Sequence, residues 1–72
     1  MSLASSRVKL QESLREIRLA WSDIRRDWSD SAAQSIERER IDPLEDRIRS
    51  ALLAIERMEH FAHMVQRETR DP

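Results

Sequence analysis

The sequence predicts an all-α fold, an antiparallel helical hairpin, from three observations. Glycine is absent and proline occurs only at Pro43 and Pro72, so little interrupts a helix. Aromatic residues make up 4% of the chain. Residues that suit strands are scarce beside Ala, Leu, Arg, Glu and Gln. Apolar residues recur at alternating steps of three and four in two long segments, which is the period of one helix face.

The first element is the clearest. Leu10, Leu14, Ile17, Trp21, Ile24 and Trp28 are spaced 4, 3, 4, 3, 4, an uninterrupted a/d heptad stripe. This predicts a helix over about 6–28 with Ser5 or Ser6 as N-cap. Traced backward, the register puts Arg7 at an a position and Leu3 at a d position, so the first turn is expected to fray.

A turn is expected at 29–31. Ser29, Asp30 and Ser31 compete with a helical backbone for hydrogen bonds and favour caps. Ser31 with Gln34 matches a capping box, and Asp30 is the neighbouring candidate cap. With no glycine at hand, Asp30 is also the residue expected to tolerate a positive φ.

The second helix is expected over about 31–69. Ala32, Ala33 and Ile36 form a short patch. Ile41, Leu44, Ile48, Ala51, Ile55, Met58, Ala62 and Val65 then repeat at 3, 4, 3, 4, 3, 4, 3. The step from Ile36 to Ile41 is five, so the register slips there, and Pro43 sits at the slip. Proline lacks an N–H and clashes with the preceding turn. The preferred reading is one long helix kinked near Pro43. The other is a break into three helices, since Asp42-Pro43-Leu44-Glu45 resembles a fresh helix start. Beyond Arg67 the stripe ends and fraying is expected.

The whole chain, 1–72, reads as one domain. Its expected core is Leu10, Leu14, Ile17, Trp21 and Ile24 against Ile41, Leu44, Ile48, Ile55 and Met58. Seventy-two residues bury little apolar surface alone. Leu19, Leu52, Leu53 and Phe61 would stay exposed on an isolated pair of helices. Dimerisation into a four-helix bundle would cover them, so the expected partner is a protein, either a second copy or a related hairpin.

Charged residues are 38% of the chain and the net charge is −1, with both signs interspersed. No basic face for nucleic acid stands out. Arg25 with Arg26, Arg38 with Arg40 and Arg47 with Arg49 each lie beside acids and read as a solvated face. No apolar run reaches the ~20 residues of a membrane span, and no signal-peptide pattern opens the chain, which favours the cytoplasm. Without cysteine, thiolate metal sites are excluded. No Ser–His–acid arrangement or glycine loop suggests catalysis or a cofactor, so no enzyme is expected.

Glu56, Glu59, His60 and His63 are the one cluster with metal-ligand chemistry. Di-iron bundles, however, take Glu-x-x-His from two helices and further Glu residues from the others. Here each Glu precedes a His by four, and the first stripe carries no inward carboxylate. Pairing on the helix surface is expected, with a metal-binding bundle as an alternative. Trp28 leaves two readings open, an end cap on the bundle or a recognition anchor.

The segment Trp28-Ser29-Asp30-Ser31-Ala32-Ala33-Gln34-Ser35-Ile36 resembles the corner of the Trp-x-Gly helical-hairpin family, small substrates of type VII secretion systems. There a Trp-x-Gly turn is followed by small residues and a large apolar one, matched here by Trp28, Ala32, Ala33 and Ile36. The long second helix with Leu52 and Ile55 on its apolar face is also similar, and the likeness covers about 10–66. Asp30 stands in the place of the glycine, and the tyrosine of the family's C-terminal export signal has no counterpart. The resemblance implies a four-helix-bundle dimer, exported or acting as an adaptor, with no catalytic residue. A cytosolic coiled-coil adaptor or structural subunit is the alternative.

Overall fold

The structure, a computed structural model, describes residues 2–70. It contains α1 (Leu3–Asp27), α2 (Ser31–Ile36), a π-helical turn (Glu37–Ile41) and α3 (Asp42–Arg70), and no strand among the described residues. From Ser31 to Arg70 the chain is continuously helical, so the protein has two helical arms. Arg7 meets Glu59, Arg18 meets Glu45, and Trp21 meets Glu37. The arms therefore lie side by side and run in opposite directions. The molecule measures 64 × 17 × 14 Å. Its radius of gyration, 17.7 Å, far exceeds the ~11 Å of a compact chain this long.

α1 starts earlier than the stripe predicts. Ser2, not Ser5 or Ser6, is the N-cap, its hydroxyl accepting from the Ser5 N–H at 3.1 Å. The first turn is helical, and Arg7 at its inward a position is held by Glu59 at 2.9 Å. At the other end Trp28 leaves the helix with extended backbone, φ −137° and ψ 104°. Arg25 donates to the Trp28 carbonyl at 3.1 Å, which satisfies an acceptor at the helix end.

The corner needs no left-handed residue. Asp30 has φ −80° and ψ −178°, and no described residue has positive φ. Asp30 is instead the N-cap of α2, accepting from the Ala33 N–H at 3.0 Å. Ser31 becomes the first helical residue, so the expected box between Ser31 and Gln34 gives way to a cap one residue earlier. The bend comes from extended backbone at Trp28 and Asp30, which any residue can adopt.

The register slip is taken up by the π turn. The Asp42 N–H bonds to the Glu37 carbonyl, five residues back. One extra residue is thereby admitted without breaking the helix, as the five-residue step from Ile36 to Ile41 requires. Pro43 follows directly. A wider preceding turn relieves the clash that a proline ring makes in a regular α-helix, so no third helix separates.

The core is thin. Among the described residues only Ala33 and Ile55 are buried. Leu10, Leu14, Ile17, Trp21, Trp28, Ile41, Ile48, Ala51 and Leu52 are half-buried. Three expected core residues are not core: Ile24, Leu44 and Met58 are 48%, 43% and 48% exposed. The cause is helix phase. The second arm turns two rows toward α1, one of Ile41, Ile48 and Ile55, the other of Glu45, Leu52 and Glu59. The d row of Leu44, Ala51, Met58 and Val65 is thereby rotated to one side. Leu52, expected on the surface, moves inward for the same reason. Leu19, Leu53 and Phe61 are exposed.

Candidate interaction surface

Two groups of residues surround the seam between the arms. The first is the corner. Trp28 folds back onto Trp21, ring centroids 6.3 Å apart and planes at 72°, an edge-to-face geometry favoured by the ring quadrupoles. The Trp21 indole N–H donates to the Glu37 carboxylate at 2.7 Å. Arg25 lies 3.8 Å from the same oxygen. The Asp30 carboxyl is held below its ordinary range by the Ala33 N–H first and the Trp28 indole N–H second, with Arg25 adding to them. Of the other corner residues, Ser29 and Ala32 are exposed, Ala33 is fully enclosed, and Ile36 lies at the surface. The polar groups of the corner are thus spent on one another. Trp28 is an internal brace as much as an outward-facing ring.

The second group is the pair of edges along the seam. On one edge, Arg7, Arg18 and Arg25 of α1 reach Glu59, Glu45 and Glu37 at 2.9, 3.1 and 3.8 Å. Arg49 also pairs with Glu45 and Asp46. These pairs are part-exposed and individually weak, about 0.2–1 kcal/mol each. Together they fix the level at which the arms meet. The opposite edge is apolar. Helix phase puts Ile17, Ala20 and Ile24 of α1 on the same side as Leu44, Ala51, Met58 and Val65 of α3. Ile24, Leu44, Met58 and Val65 each remain 42–48% exposed there.

Sequence reasoning found the apolar residues but missed the ionic latches. Glu45 and Glu59 look like surface acids beside an a/d stripe. Their signal was heptad spacing: Glu45, Leu52 and Glu59 repeat every seven, as do Arg18 and Arg25. The candidate metal cluster disperses. Glu59 is taken by Arg7, while Glu56, His60 and His63 are exposed. Glu59 and His63 line a shallow groove of about 320 Å³ with Ser2, Leu3, Ala62 and Gln66. Among the described residues no three His, Asp or Glu side chains are placed to share an ion. None of the helices is long and apolar enough to cross a membrane, among the same residues.

No protein-family model, no curated protein and no solved structure matches the chain.

Proposed function

We propose that the chain is a helical-hairpin interaction module without catalysis of its own, which works by assembling with a second copy or a related hairpin protein. The observation that carries this reading is surface area. The chain exposes 6066 Å², against about 4,700 Å² for a compact monomer of its mass. The difference, roughly 1,400 Å², exceeds the ~800 Å² that each partner contributes to a standard interface. The apolar edge, with Ile24, Leu44, Met58 and Val65 each 42–48% exposed, belongs to this surface.

The likeness to Trp-x-Gly hairpins at Trp28, Ala32, Ala33 and Ile36 supports an exported or adaptor role within this class. Asp30 in the glycine position is compatible with such a corner, because the bend here uses extended backbone and a cap rather than positive φ. Sedimentation equilibrium of the purified protein at micromolar concentration tests the proposal. A dimer or larger assembly is expected, and a monomer throughout that range would sink it.

A further inference from the structure

The proposed assembly leaves open how two copies meet, and charge along the apolar edge decides it. Outside the apolar residues of this edge, helix phase puts Glu16 and Asp23 on α1, and Arg40 at the end of the π turn and Arg47 on α3 in the second arm. All four are exposed. Glu16, Arg40 and Arg47 have no ion-pair partner within the chain among the described residues, and Asp23 has only a loose 3.6 Å contact to the exposed Arg26. The outer rim of this edge is therefore acidic on one arm and basic on the other. The latched edge uses the reverse assignment, with basic groups on α1 and acidic groups on the second arm.

The Arg18–Glu45 pair sets the level of the two arms. Two residues back along α1 and two forward along α3, Glu16 lies level with Arg47. Five residues in the other direction, Asp23 lies level with Arg40. Two copies can stack these apolar edges with a two-fold axis either along the helices or across them. Across the helices, α1 covers its own copy and α3 covers its own copy, so acids oppose acids and arginines oppose arginines. Along the helices, α1 of each protomer covers α3 of its partner at the same level. Each Glu16 then faces an Arg47 and each Asp23 faces an Arg40, twice over by symmetry.

We infer that the apolar edge built by Ile17, Ala20, Ile24, Leu44, Ala51 and Met58 docks a second copy of this chain with both Trp28 corners at the same end, α1 lying against the partner's α3. The arrangement rests on the interaction-module reading above and fixes its partner and orientation. It leaves the latched edge facing solvent.

The test uses the natural lack of cysteine. A Ser29→Cys variant places one spin label at the exposed corner of each protomer. The same-end arrangement brings the two labels within about 30 Å, a few interhelical spacings of 8–10 Å plus the label arms. The opposite-end arrangement separates them by about 40 Å or more, the length of α1 at 1.5 Å per residue. A dimer with the long distance overturns the inference while leaving the module reading intact. A monomer at micromolar concentration fails both. Charge reversal provides the second measurement. Glu16→Arg alone should weaken the dimer by roughly 3- to 30-fold, since two exposed pairs become repulsive. Glu16→Arg combined with Arg47→Glu should recover most of that affinity. A double variant no tighter than the single one overturns the proposed seam.

Discussion

The indole N–H of Trp21 on α1 donates to the carboxylate of Glu37 at 2.7 Å, and Glu37 is the first residue of the π turn. This bond ties the last two turns of α1 to the point where the second arm changes register. It sits beside the Trp21–Trp28 contact and the Arg25–Glu37 approach. One acidic side chain thus links the corner, the π turn and the stripe of α1. The fold therefore owes its shape less to a filled core than to side chains shared between elements.

Trp21→Ala is expected to cost about 2–3 kcal/mol, less than the ~3–5 kcal/mol typical of a fully enclosed tryptophan, because Trp21 is only half-buried. Trp21→Phe keeps the ring and removes the donor, and should cost about 1 kcal/mol. Urea unfolding followed by circular dichroism at a fixed protein concentration separates the two losses. Equal costs for Phe and Ala would mean that the bond to Glu37 and not the ring carries the stability.

Asp30 gives the corner an acid sensitivity. Its folded carboxyl titrates below the ordinary value of 3.8, chiefly through the Ala33 N–H and then the Trp28 indole N–H. A depressed folded pKa stabilises the fold above the unfolded value, and that contribution is lost as pH falls through the folded value. The corner should therefore loosen at pH below about 3.8, with the Ala33 amide losing exchange protection first. Asp30→Asn keeps a cap residue without the charge and should flatten this part of the acid response. A side-chain carbon NMR titration giving Asp30 a midpoint at or above 3.8 would contradict the account.

The architecture of the arms was legible in the sequence because helix formation leaves a local record. The 4, 3, 4, 3, 4 spacing from Leu10 to Trp28 predicts α1. The five-residue step from Ile36 to Ile41 predicts a disturbance where the π turn lies. What the spacing cannot give is rotation of one helix against another. An a/d stripe treats Leu44 and Met58 as equal to Ile41 and Ile55. Pairing of Glu45 and Glu59 with arginines on α1 rolls α3 so that the a and e rows face inward. Such pairs join residues 27 and 52 positions apart, a separation at which periodicity within one helix carries no information. Asp30 is a related case. The sequence offered it two roles, N-cap of the next helix and tolerance of positive φ, and only the cap is realised, because the choice depends on where the next helix begins.

Pro43 offers a check on the π turn. A proline inside a regular helix costs about 3 kcal/mol relative to alanine. Here it follows a turn already widened by the Asp42–Glu37 bond, so most of that penalty is absent. Pro43→Ala should therefore change the unfolding free energy by less than about 1 kcal/mol. A gain near 3 kcal/mol in urea unfolding would mean that proline strains this helix and that the π turn does not accommodate it.

The Arg7–Glu59 pair is the latch farthest from the corner, and its removal should act locally. Both side chains are about one-third exposed or less, so solvent screens the pair and its worth is about 1 kcal/mol or below. Arg7 occupies a stripe position that would otherwise hold an apolar residue, and Glu59 is its partner across the seam. Without Arg7, the first two turns keep the Ser2 cap and the Ser6 N–H bond to the Ser2 carbonyl, with Leu3 and Leu10 half-buried, but lose their ionic tie to α3. Arg7→Ala should thus speed amide exchange over the first two turns of α1 while leaving protection around Ala33 and Ile55 unchanged. Raising the salt concentration should reproduce part of the effect in the unaltered chain, because the attraction is screened within about a Debye length. Hydrogen exchange read by mass spectrometry resolves the two regions. Uniform loss of protection along both arms would mean that this pair governs the whole fold, contrary to a set of separate latches along one edge.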